Sequence, residues 1–149
     1  MFKNLYRSTI TFLVLTLITM SAFAAAPPTD SAAMFECAVY SSVGKLPNSK
    51  TYITAGLFLY DKEHGVKAYH DWSKTKAGTD WILGRKQDVV DEMNEWGKEG
   101  KEATLAKFKE KVDGCDIRYG LINKKTNLKQ LGVELGYIKD PMAGELPNK

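Results

Sequence analysis

Catalytic vocabulary is scarce in this chain. Its 149 residues include only two histidines, His64 and His70, and two cysteines, Cys37 and Cys115. No Cys-x-x-Cys occurs, and without Cys-x-x-Cys-His there is no motif for covalent haem attachment. Gly-x-Ser-x-Gly, the zinc-protease helix motif and the phosphate loop are all absent. So is the pair of Glu-x-x-His motifs that a carboxylate-bridged dimetal bundle needs. Carboxylates are plentiful, but no catalytic set, metal site or cofactor is assigned from the sequence.

A charge excess is missing as well. The chain has 21 Lys and Arg against 18 Asp and Glu, a formal net charge of +3. Two of the positive charges, Lys3 and Arg7, lie in an N-terminal segment that contains no acid and is expected to be removed, leaving 19 against 18. So near a balance gives no global reason for nucleic-acid binding or for attraction to a membrane surface.

Long apolar runs are limited to that N-terminal segment. Met1 to Ser8 carries the two positive charges, and Thr9 to Met20 is apolar. Ala22-Phe23-Ala24 then supplies the small residues of a cleavage site. This is the three-part layout of a secretory signal peptide, residues 1–24. The apolar run is about twelve residues, short of the roughly twenty that span a bilayer, so no stable membrane anchor is expected. Removing the first 24 of 149 residues leaves 125, enough for one domain with its own core. The expected location is periplasmic or secreted, with a single helical domain over 25–140 and a flexible tail over 141–149. In such a compartment two cysteines most economically form one disulfide, Cys37 to Cys115.

Apolar spacing predicts an all-α fold, a small four-helix-type bundle with one disulfide and an irregular C-terminal tail. Asp30 or Ser31 can cap a first helix through Met34, Phe35, Cys37 and Ala38, ending at Gly44. Leu46-Pro47-Asn48-Ser49 reads as a turn. Tyr52 to about Tyr69 is the most apolar stretch of the mature chain and reads as the central helix, in which Gly56 and Gly65 either weaken the helix or allow close packing against a neighbour. Residues 73–80 read as a polar connection, after which Thr79 or Asp80 caps a third helix. On it Ile82, Val89, Met93 and Trp96 fall within roughly 60° of one line. Gly97 and Gly100 break that helix. A fourth follows through Ala103, Leu105, Ala106, Phe108 and Val112 and ends at Gly114, with Cys115 just beyond it. Leu128, Leu131 and Leu135 suggest a short terminal helix.

Two features are candidates for binding. Opposite the apolar stripe of the third helix runs an acidic ridge of Asp88, Asp91, Glu92 and Glu95, in which Asp88–Glu92 and Asp91–Glu95 are like-charge i, i+4 pairs. It reads either as a docking face for a basic partner or as a solvated face balanced by the lysines downstream. The second is the aromatic cluster Tyr69, Trp72 and Trp81. It reads either as a recognition surface for a small ligand or cell-wall glycan, or as a plug at one end of the bundle with each indole N–H at the surface. His64 and His70, six residues apart on one helix, would face different directions and read as surface histidines. The function expected from the sequence is an exported, non-enzymatic protein-binding module of a bacterial-type envelope, of inhibitor, immunity or chaperone-like kind, with a protein partner. A ligand or glycan binder using Tyr69, Trp72 and Trp81 is the alternative.

Overall fold

The computed structural model describes residues 29–139; the expected signal peptide at 1–24 and the tail at 141–149 lie outside the described residues. The elements are α1 (Thr29–Val43), α2 (Ser49–His64), α3 (Ala68–Trp72), α4 (Lys76–Gly97), α5 (Lys101–Thr126) and α6 (Leu128–Glu134). Four long helices form a helical bundle, and α3 and α6 are short additions to it. Among the described residues no helix is long and apolar enough to cross a membrane.

Helices α1 and α2 form an antiparallel hairpin that holds most of the core. Met34, Cys37 and Ala38 of α1 pack with Tyr52, Ala55, Phe58 and Leu59 of α2. Gly56 allows the close approach: a Cβ there would stand 2.6 Å from the Phe35 ring. At the same point Ser31 Oγ donates to the Gly56 carbonyl at 2.7 Å, satisfying a buried hydroxyl.

Three boundaries differ from the sequence expectation. The helix expected over Tyr52 to Tyr69 stops at His64, because Gly65 (φ 100°) and Lys67 (φ 69°) turn the chain into α3. His64 and His70 therefore sit on different helices. Helix α4 starts at Lys76, with Thr75 as its cap: the Thr75 hydroxyl accepts the Gly78 N–H at 3.0 Å. Gly78 lies inside this first turn because a Cβ would stand only 2.1 Å from the Trp72 carbonyl oxygen. Helix α5 runs through Gly114 and Gly120 to Thr126, so Cys115 lies mid-helix. Neither glycine adopts a positive φ, whereas Gly65, which ends α2, does.

Helices α4 and α5 are more polar and more lightly anchored. Of α4 only Gly78, Val89 and Trp96 are buried, and of the 26-residue α5 only Cys115 and Ile122. The disulfide compensates: Cys37 and Cys115 have their sulfurs 2.11 Å apart and join α1 to α5. A second tie is polar. Glu92 of α4 accepts from the Tyr40 hydroxyl of α1 and from Lys111 Nζ of α5 at 2.7 Å. Phe35 faces Trp81 and Tyr40 faces Trp96, so α1 and α4 run in the same direction.

Candidate functional site

The facing sides of α1 and α4 leave a groove of about 490 Å³. Phe35, Ala38, Val39, Ser42 and Val43 of α1 line it; their i, i+3, i+4, i+7, i+8 spacing is one helix face. From α4 come Trp81, Ile82, Arg85, Lys86 and Val90, while Ile53 of α2 and Tyr69 of α3 complete the lining. Burial separates floor from rim. Phe35 and Ala38 are buried, whereas Val43, Ile53 and Val90 remain 41%, 43% and 41% exposed. Three branched apolar side chains therefore stand around one depression, whereas the more exposed Leu105, Ile117 and Leu121 lie on α5 outside it.

One end of the groove is aromatic. Phe35 stacks on Tyr69 with ring centroids 4.7 Å apart and meets Trp81 edge-on at 6.1 Å. Behind them Trp72 packs against Trp81 at 5.8 Å and Tyr60 at 5.2 Å. Burial pushes the hydroxyls of Tyr69 and Tyr60 above their ordinary value, the Asp61 carboxylate adding to the effect at Tyr60. Both stay protonated at neutral pH.

The position of Tyr69 depends on Asp61, a residue not among the site candidates from the sequence. Asp61 is 1% exposed, yet its carboxylate is fully engaged. It accepts the Lys67 N–H at 2.9 Å, the Tyr69 N–H at 2.7 Å and the Tyr137 hydroxyl at 2.6 Å. One carboxylate thus fixes the turn after α2, the start of α3 and the segment after α6. Burial, then the hydrogen bond to Asp61, raises the Tyr137 hydroxyl. The signal present in the sequence was an acid placed directly after the apolar run Leu57-Phe58-Leu59-Tyr60.

The residues singled out from the sequence divide between places. Tyr69 and Trp81 line the groove; Trp72 does not. The expectation of a surface indole is corrected for Trp72, which is buried behind the end wall, its Nε1 without a hydrogen-bond partner among the described residues. Packing of Tyr60, Tyr69 and Trp81 around the ring encloses it. The acidic ridge residues each meet a neighbour. Asp88 pairs with Arg85 at 2.7 Å, Asp91 accepts from Gln87 at 2.8 Å and Glu95 pairs with Lys98 at 2.6 Å. Glu92 points instead into the α1–α4–α5 junction. Burial raises its carboxyl, but the hydrogen bonds from Lys111 and Tyr40 outweigh that and hold it below the ordinary carboxylate range. His64 packs on Tyr60 at 4.6 Å, and His70 lies beside Asp71 at 3.4 Å on the exposed side of α3.

Arg85, Lys86, Val90 and the α1 face were missed because a groove between helices distant in sequence leaves no local pattern. Val90 alone gave a hint, as an apolar residue off the core stripe of α4. Comparison with known proteins finds no matching family model, no similar curated protein and no similar solved structure.

Proposed function

We propose that this chain is an exported, non-enzymatic binding protein of a bacterial-type envelope, and that the α1–α4 groove binds a ligand with an extended hydrocarbon part. The observation that carries the reading is the groove itself. Its volume of about 490 Å³ falls within the roughly 300–1,000 Å³ of small-molecule sites. Nine of its twelve lining residues are aliphatic or aromatic, and Val43, Ile53 and Val90 at the rim stay partly exposed among the described residues. Removing that surface from water is favourable in proportion to its area. A glycan would instead call for polar side chains flanking an open aromatic face, and half of the twelve lining residues here are aliphatic.

Export is supported by the N-terminal segment with Lys3, Arg7 and Ala22-Phe23-Ala24, together with the Cys37–Cys115 disulfide. The acidic ridge contributes less to the reading, since its carboxylates are engaged on their own helix or in the α5 junction. A protein partner is the second reading, and the same groove favours it. Two parallel helical banks can receive the apolar face of a partner helix.

The test uses the mature, disulfide-bonded protein and the environment-sensitive dye N-phenyl-1-naphthylamine. Saturable fluorescence enhancement is expected. Val43→Trp with Val90→Trp should fill the groove and abolish it, with the circular dichroism melt unchanged. Equal enhancement in the filled variant, or none in the parent, would overturn the assignment.

A further inference from the structure

The groove carries a charge pattern as well as an apolar one. Its charged lining residues are Arg85 and Lys86, adjacent on the α4 bank, and among the described residues no acid lines it. This is notable on a helix that also bears Asp88, Asp91, Glu92 and Glu95. Asp91, Glu92 and Glu95 are directed elsewhere, to Gln87, the Tyr40–Lys111 junction and Lys98, while Asp88 lies outside the lining and pairs with Arg85. Lys86 is in no ion pair among the described residues. Arg85 meets Asp88 at 2.7 Å with one guanidinium nitrogen and lies 6.0 Å from the Trp81 ring centroid. A guanidinium has five N–H donors, so one carboxylate leaves donors for a second acceptor.

We infer that the groove takes a single-chain amphiphile with an anionic head, of the long-chain carboxylate class. The inference rests on the groove reading above and adds the identity of the head group. The carboxylate sits at the rim between Arg85 and Lys86, where it keeps part of its hydration and gains charge-assisted hydrogen bonds. Its chain lies over Phe35, Ala38 and Val39 toward Val43 and Val90, where the hydroxyls of the lining among the described residues are those of Ser42 and Tyr69. A cationic head at the same place would meet two like charges. A neutral head would gain only the hydrocarbon contacts.

The experiment is calorimetric titration of the mature protein with decanoate, decanol and decyltrimethylammonium, the two ionic amphiphiles below their micellar concentrations and decanol below its solubility limit. Decanoate should bind about tenfold more tightly than decanol, the size of one charge-assisted contact, and decyltrimethylammonium more weakly than either. Lys86→Glu should weaken decanoate by about tenfold or more while leaving decanol unchanged. Arg85→Gln, which keeps the side-chain length, should act in the same direction. Equal affinities for decanoate and decanol would overturn the head-group assignment while leaving the apolar groove standing. So would Lys86→Glu weakening both ligands alike. An acidic amphipathic peptide that binds where decanoate does not would overturn it in favour of a protein occupant. Failure of all three amphiphiles, by contrast, would remove the groove reading itself.

Discussion

Replacing Asp61 should both destabilise the fold and loosen the aromatic end of the groove. Asp61→Ala leaves the Lys67 and Tyr69 N–H groups and the Tyr137 hydroxyl without their acceptor. Hydrogen bonds to a charged group contribute about 1.5–3 kcal/mol each, but the exposed turn at Lys67 can recruit water, so the three do not add in full. The expected loss is about 3–6 kcal/mol, two such bonds at that strength. Tyr137→Phe removes a single bond and the stacking on Phe58 survives, so about 1–2 kcal/mol is expected. The two effects share one contact. In the Asp61→Ala background Tyr137→Phe should therefore cost almost nothing, giving a coupling of about 1–2 kcal/mol. Urea titrations followed by far-ultraviolet circular dichroism measure all four corners of the cycle. Asp61→Ala within about 1 kcal/mol of the parent would refute the reasoning, since leaving buried donors unsatisfied costs at least that much. So would an undiminished Tyr137→Phe effect in the double variant.

The disulfide closes a separation of 78 residues, so in the chain-entropy account Cys37→Ser with Cys115→Ser should cost about 4.5 kcal/mol; urea midpoints measure it, and an equally stable double variant would refute the staple. Stability should fall below pH about 4.5, where unfolded carboxylates protonate while Glu92, held low by Lys111 and Tyr40, resists until lower pH. It should fall again above pH about 10, where unfolded tyrosines ionise. Burial, then the hydrogen bond to Asp116, raises the Tyr52 hydroxyl to about 12, and Tyr40 is raised further by burial and Glu92, so that contribution is lost as the pH rises from about 10 toward 12. A stability plateau through both limits would contradict these assignments. Gly114→Ala, with open space over its Cα, should stabilise by about 0.5–1 kcal/mol, whereas Gly78→Ala, facing the Trp72 carbonyl, should destabilise by about 1–3 kcal/mol. Thermal melts should separate the two variants in opposite directions.

How much of this could be read from the chain follows from the range of each signal. The first helix, its end before Gly44 and the break at Gly97 to Gly100 are local and legible. The all-α bundle and the cysteine pairing were legible too, because composition and apolar spacing act over short windows. The start of α4 was displaced because Thr75, Thr79 and Asp80 are all competent caps. What selects Thr75 is the fit of Gly78 under the Trp72 carbonyl, a tertiary contact. Gly114 resembled a helix stop, but a helical glycine over open space weakens a helix without ending it. At the site, Tyr69 and Trp81 stood out by type, whereas Arg85, Lys86 and Val90 gain meaning only once α1 lies opposite them. Trp72 shows the limit of residue type: two neighbouring indoles look alike in sequence, and packing puts one on the groove and the other behind it.

The most direct test of the groove is paramagnetic broadening of methyl NMR signals by a nitroxide-labelled long-chain carboxylate. Broadening should concentrate on the methyls of Val39, Val43, Ile53, Ile82 and Val90, which line the groove. Ile117 and Leu121, each 65% exposed on α5 outside it, should keep their intensity. Broadening centred on Ile117 and Leu121, or spread evenly over all exposed methyls, would contradict the account.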